Sequence, residues 1–319
     1  MAISHCERDC LTFSFFYCRK KRNTEMAAKI TAFMNQKGGV GKTTTAVNIG
    51  AILANEHNKR VLLVDLDPQA NLSDHLGIDP NVTEDSIYNV LIDSTDPRVV
   101  IRRVHGLEVL PANLDLCGAE VDLALMENRE TRLRDALSGL VTQYDHIIID
   151  CPPSLGLLTL SGLVAADSVV VAMEAEYLAL RGISQLMNTV SRIAETLNPG
   201  LEISGVVFCM YDPRTTLAKD VKSEVEQHLP GKVYTTAIRQ NVRLAEAPSR
   251  GMPINIYDPK SNGTADYREV AAEFLERTGE KASIDEVEVV LQEDILAQTP
   301  ILPDHDDGRG SWQRQPRWE

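Results

Sequence analysis

Short apolar runs rich in Val, Ile and Leu recur along the chain, alternating with longer segments whose apolar residues repeat at helical spacing. Residues 30–34, 60–67, 107–110, 144–150, 168–173, 203–210 and 233–238 read as strands. Residues 46–53, 86–92, 116–140, 183–197, 215–229 and 263–278 read as helices. Asn198-Pro199-Gly200 stops one of these helices and Pro230-Gly231 another, since proline lacks the N–H a helix needs and glycine turns the chain. Buried strands alternating with helices predict an α/β fold, a doubly wound, mostly parallel sheet with helices on both faces. No apolar run approaches the length of a membrane span.

Between the first strand and the first helix lies Gln36-Lys37-Gly38-Gly39-Val40-Gly41-Lys42-Thr43-Thr44-Thr45. Strand, glycine loop and helix is the context of a phosphate-binding loop, and so of a P-loop NTPase. Glycines let backbone N–H groups turn inward around an anion, and the helix N-terminus adds its positive dipole end. Lys42 would reach the terminal phosphates and the Thr43 hydroxyl would ligate Mg²⁺. The pattern G-x-x-x-x-G-K-[ST] is broken only at Gln36, where its first glycine should stand, and a second lysine, Lys37, precedes the paired glycines. Downstream, two apolar strands end in acids, at Asp65 and Asp67 and at Asp150. Ligands bind at that edge of open α/β sheets. A strand-end carboxylate downstream of such a loop is the Walker B arrangement, which makes Asp150 the second candidate for Mg²⁺.

Lys37-Gly38-Gly39-Val40-Gly41-Lys42-Thr43-Thr44 is similar to the deviant P-loop of the ParA/MinD class of ATPases. Asp67-Pro68-Gln69-Ala70-Asn71, the strand from Asp145 to Ser154, Met210-Tyr211-Asp212-Pro213-Arg214-Thr215 and Asn241 to Ser249 resemble motifs of its partition members. The chain thus resembles the ParA/Soj-type chromosome or plasmid partition ATPases over about residues 29–277. The resemblance implies ATP and Mg²⁺ as cofactors, with nucleotide held by Lys37, Gly38, Gly39, Val40, Gly41, Lys42, Thr43 and Thr44. It implies catalytic roles for Lys37, Lys42 and Asp67, with Lys37 reaching the nucleotide of a partner subunit in an ATP-dependent homodimer. It places Arg239 and Asn241 beside the base, although Arg239-Gln240 stands where the family has Pro-Arg. It implies that Arg214 and Arg243 grip DNA without sequence specificity and that a ParB-like centromere-binding protein stimulates hydrolysis. Surface arginines are ordinarily just solvated. A cytoplasmic, nucleoid-associated protein follows from the same resemblance, as does Ala70 standing where the family has glycine.

Composition changes this picture little. Hydrophobic content of 43% and charged content of 24% are those of an ordinary globular chain. The net charge of −14 argues against a broad nucleic-acid surface, but much of it lies in the acidic stretch from about Glu280. Six cysteines without paired spacing indicate a reducing compartment. Residues 1–27 read as a disordered leader or an upstream start, 28–279 as the ATPase domain and 280–319 as a mostly disordered tail with a short helix at 287–296. A MinD-like membrane ATPase calls for a basic amphipathic C-terminal helix, and this end is acidic. A nitrogenase-reductase-like iron–sulfur protein would have Cys117 and Cys151 as its cysteine pair. A related ATPase positioning another cargo would share all of this chemistry.

Overall fold

The structure, a computed structural model, describes residues 27–177 and 179–280. The expectations for the leader, for the tail beyond Glu280 and for the helix at 287–296 fall outside them. Seven strands form one sheet: β1 Lys29–Met34, β2 Val61–Asp65, β3 Arg102–Val104, β4 Leu107–Leu110, β5 His146–Asp150, β6 Ser168–Glu174 and β7 Glu202–Cys209. Their order is β3-β4-β2-β5-β1-β6-β7. Every pairing is parallel except the hairpin of β3 with β4, so the predicted doubly wound, mostly parallel sheet is the observed one.

Successive strand residues point to opposite faces, and the chain makes both faces apolar. In β1, Ile30, Ala32 and Met34 join one core while Phe33 joins the other. In β5, Ile147 and Ile149 face the first core and Ile148 the second. Helix Leu157–Ala165 and helix Ala179–Thr196 cover the first face through Leu158, Leu163, Leu186 and Val190. Helix Lys42–Asn55 and helix Asn262–Arg277 cover the second through Ile49, Ile52, Val270 and Phe274. Gly50 sets how closely the first of these helices sits on the sheet, since a Cβ there would meet Leu63 Cδ2 at 2.7 Å.

Two expectations are corrected. The segment 116–140 is not one helix but a 3₁₀ turn Leu114–Cys117, helix Ala119–Ala124 and helix Arg132–Ser138. Leu125 is 86% exposed and Asn128 has a φ of 54°, so neither the apolar stripe nor the helical backbone continues between them. Residues 233–238 make only isolated bridges beside β7. There the Thr235 N–H donates to Glu273 and the Thr236 hydroxyl to Glu269, which draws the segment toward helix Asn262–Arg277 instead of a strand ladder. Arg243 lies on the short helix Val242–Glu246, capped by the Asn241 side chain.

At the opposite edge from the glycine loop, Glu280 closes the described fold. Its carboxylate pairs with Lys59 and lies 3.2 Å from His146 Nε2. His146, then burial in opposition, then Lys59 set its pKa, which falls to about 2. The contribution is therefore full above ~4.3, the unfolded value, and is lost as pH falls toward 2. Glu280→Gln should cost about 1–2 kcal/mol at pH 7, a figure reduced by the carboxylate's partial exposure. In chemical denaturation at descending pH, the gap to wild type should close between about pH 4 and pH 2; a gap unchanged with pH would show that the carboxylate charge is not what stabilises this edge.

Candidate functional site

A cleft of about 680 Å³ opens at the C-terminal ends of the central strands. Gly38, Gly39, Gly41, Lys42, Thr43 and Thr44 line one side of it. Gly39 and Gly41 have φ of 77° and 87°, conformations that glycine adopts without a Cβ penalty. Gly41 is also the N-cap of helix Lys42–Asn55, so the loop hands directly into a helix whose first N–H groups are free. The Thr45 hydroxyl locks the junction, donating to the Gly41 carbonyl at 2.7 Å and lying 3.1 Å from the Tyr267 hydroxyl. Val40 is buried beneath the loop and does not line the cleft.

Under the loop, the Thr43 hydroxyl donates to Asp150 Oδ2 at 2.6 Å, while Asp150 Oδ1 is buried without a hydrogen-bond partner. Burial, then the charge of Asp65, push the Asp150 pKa up to about 8, against the pull of Thr43 and Lys42. A carboxylate this poorly compensated beside a threonine hydroxyl offers the hard oxygen ligands Mg²⁺ prefers. The residues present therefore fit such an ion, which Thr43 and Asp150 would hold.

Asp65 and Asp67 separate cleanly. Asp65 is fully buried and accepts from the Ser73 hydroxyl at 2.7 Å and the Ser73 N–H at 2.9 Å. Burial raises its pKa to about 7. It ties helix Asn71–His75 back onto β2 and does not line the cleft. Asp67 does, holding its own turn through the Gln69 N–H at 2.9 Å. Ala70, at the N-cap of that short helix, has a φ of 51°, the left-handed conformation for which glycine is better suited.

The remaining predicted residues divide. Arg239 and Asn241 line the cleft. The Arg239 guanidinium is forked onto Asp266, with its shortest contact at 2.6 Å, and Asn241 spends its side-chain oxygen on the Arg243 N–H. Lys37 lies outside the cleft, its ammonium 2.7 Å from Glu174 and 2.9 Å from Glu176 at the end of β6, and those two bonds raise its pKa. Arg214 is forked onto Asp212, whose carboxyl it draws down to about 2. Arg243 pairs with Glu246 at 2.8 Å and Asp258 at 3.4 Å. Neither arginine lines the cleft. Cys151 is buried with its thiol pKa pushed up by burial, packed against Gly162; a thiol enclosed in the core does not fit a cluster shared between subunits. No helix among the described residues is long and apolar enough to cross a membrane. Residues that sequence reasoning missed include Asn71, Asp74, His75, Met210 and Tyr267 on the cleft wall. Helical spacing after Asp67 could have pointed to the first three; only the fold brings in the others.

The sequence matches the AAA domain family over residues 28–203. It is 51% identical over 247 residues to the sporulation initiation inhibitor protein Soj of Bacillus subtilis, covering 77% of this chain and 97% of that one. The chain belongs to the Soj/ParA family of partitioning ATPases. Identity to the chromosome partitioning protein ParA of Myxococcus xanthus is 44% over 268 residues, covering 83% of this chain and 94% of that one. Among solved structures, cobyrinic acid a,c-diamide synthase from Mycobacterium smegmatis with bound ATP analogue and magnesium aligns with a TM-score of 0.70 at 40% identity, covering 81% of this chain and 99% of that one.

For this Soj/ParA-family chain the two neighbouring acids call for opposite outcomes. Asp65→Ala leaves the Ser73 N–H and O–H without their acceptor in the core, the hydroxyl keeping only the bond it accepts from the Ala112 N–H, and should cost about 2–3 kcal/mol. Asp67→Ala removes a group at the cleft edge and should cost less than about 1 kcal/mol. Urea denaturation of the two variants checks this, and equal losses would refute the division of roles.

Proposed function

We propose that the chain binds ATP with Mg²⁺ at the cleft and hydrolyses it as an ATP-bound homodimer. The observation that carries this reading is the Thr43–Asp150 pair beneath the glycine loop, with one carboxylate oxygen left over. Mg²⁺, when bound, neutralises charge on the terminal phosphates and fixes their position. The loop N–H groups and the start of helix Lys42–Asn55 hold the phosphates, and Lys42 compensates their charge. Asp67, at the edge of the cleft, orients the attacking water. Arg239 and Asn241 border the base.

Lys37 completes the site of the other subunit. Its position outside its own cleft supports this, and its two ion pairs do not oppose it strongly. Exposed pairs are worth about 0.2–1 kcal/mol each, less than a desolvated lysine gains from a phosphate cluster. The dimer binds nonspecific DNA through Arg214 and Arg243. A ParB-like centromere-binding protein stimulates hydrolysis and release, and the cycle segregates a chromosome or plasmid on the nucleoid of the cytoplasm. The names of the relatives Soj and ParA support that role.

Lys37→Ala should bind ATP as wild type does, through Lys42, yet form no ATP-dependent dimer. Light scattering with ATP and with ADP tests it, and a variant that dimerises normally would sink the role in trans. For DNA, Arg243→Ala should keep ATP binding and dimerisation but flatten the salt dependence of binding to a random duplex. The slope should fall by about 1 per lost phosphate contact, or about 2 per dimer. Unchanged affinity, or equal affinity with ATP and ADP, would show that DNA is not held this way.

A further inference from the structure

Beneath the glycine loop, three elements of the fold meet at one hydroxyl. Thr45 is fully buried in the first turn of helix Lys42–Asn55, and its Oγ1 donates to the Gly41 carbonyl at 2.7 Å. Its N–H donates to the same carbonyl at 2.9 Å. A hydroxyl has one proton and a carbonyl can only accept, so the Thr45 proton is committed to Gly41. Toward Tyr267, whose hydroxyl lies 3.1 Å away, Oγ1 is therefore the acceptor and the phenol the donor. Tyr267 comes from helix Asn262–Arg277, 222 residues further along the chain, and is 1% exposed. Burial raises its pKa well above the ordinary phenol value, which keeps the donor proton in place. Cys209, the last residue of β7, packs on the same group, its Sγ 3.3 Å from Oγ1 and 3.3 Å from where a Gly41 Cβ would lie.

The direction of these bonds matters because a trans peptide is planar, with its C=O and N–H on opposite sides. Holding the Gly41 carbonyl down the helix turns the Lys42 N–H of the same peptide toward the loop, and both residues line the cleft. Glycine leaves its own backbone unusually free, so the orientation of that peptide has to be held from below. Two bonds to the carbonyl hold it, and the one from Oγ1 is strengthened by the donor behind it, since hydrogen bonds in a chain polarise one another. We infer that Tyr267 is a positioning residue for the phosphate loop. Through Thr45 Oγ1 it fixes the Gly41–Lys42 peptide, so that the Lys42 N–H is aimed at a phosphate before one binds. This rests on the nucleotide reading of the cleft. A donor oriented in advance costs nothing to order when the anion arrives.

The test is a double-mutant cycle read by calorimetric titration of the full chain with ADP and with inorganic pyrophosphate, each with Mg²⁺. Tyr267→Phe removes the donor and keeps the ring, and it should weaken both ligands by about 3- to 10-fold, the range of one net hydrogen bond. Thr45→Val removes the relay and should weaken them at least as much, while Thr45→Ser, which keeps the hydroxyl, should recover most of that loss. The double variant should bind no more weakly than Thr45→Val alone, because Tyr267 then has nothing to act through. Additive losses, or unchanged affinity in Tyr267→Phe, would overturn the proposal. So would a Tyr267→Phe loss for ADP with none for pyrophosphate, which would mean that the phenol contacts the nucleoside instead. Should Thr45→Val fail to fold, Tyr267→Phe compared between the two ligands decides alone; should pyrophosphate bind too weakly to titrate, the cycle with ADP decides. A wild-type chain that binds neither ligand overturns the nucleotide reading as well, whereas normal binding with additive or absent losses overturns the positioning role only.

Discussion

Two carboxylates buried side by side are the constraint on which the rest of the site depends. Asp65 and Asp150 are register partners at the ends of β2 and β5, and both are fully buried. Taking a carboxylate out of water without compensation is costly enough that the group gains a proton, a hydrogen-bond set or a cation. Asp65 takes the hydrogen-bond set: Ser73 supplies both its hydroxyl and its N–H, and the chain must fold back within eight residues to do so. That return forms helix Asn71–His75 and leaves Asp67 on the cleft. Asp150 receives only the Thr43 hydroxyl. The asymmetry between neighbours, one carboxylate compensated by its own chain and one left short, distinguishes a structural acid from one suited to a cation.

Much of this was legible in the sequence because it is local. The glycine loop, its lysine and threonine, and the apolar strands ending in acids are patterns within a few residues, and strand and helix periods differ enough to be told apart. Asp67 lines the cleft and Asp65 does not, and the bonds of Asp65 to Ser73 that separate the two are not a pattern that spacing reveals. Legibility failed where tertiary partners override local preference. Residues 233–238 are apolar and β-branched enough to read as a strand, yet Glu269 and Glu273 on a helix more than thirty residues away take the Thr235 and Thr236 donors. The fork of Arg239 on Asp266 spans 27 residues and has no sequence signal at all.

Charge was the other poor guide. A net charge of −14 describes the whole chain, but the behaviour of a surface cation depends on the acids within a few ångströms. Arg214 is paired with Asp212 two residues before it, and Arg243 with Glu246 on its own helix and with Asp258 fifteen residues on. Such exposed pairs are individually weak, and a polyanion can compete for either arginine. Lying on the surface outside the cleft also leaves both open to a partner that the nucleotide loop does not touch.

Lys37 poses the opposite problem, a cation beside a phosphate-binding loop that does not turn into it. Were the lysine meant for its own loop, it would line the cleft as Lys42 does. Instead it bonds to Glu174, the last residue of β6, and to Glu176 just beyond it; β6 is adjacent to β1 in the sheet. The placement keeps it charged and extended away from its own nucleotide position, while the weakness of exposed pairs keeps it exchangeable. On the proposed reading, one chain therefore holds a loop short of a cation and a cation short of a phosphate. In that proposal a two-fold axis would bring each deficit to the other, and nucleotide would become a condition of dimerisation.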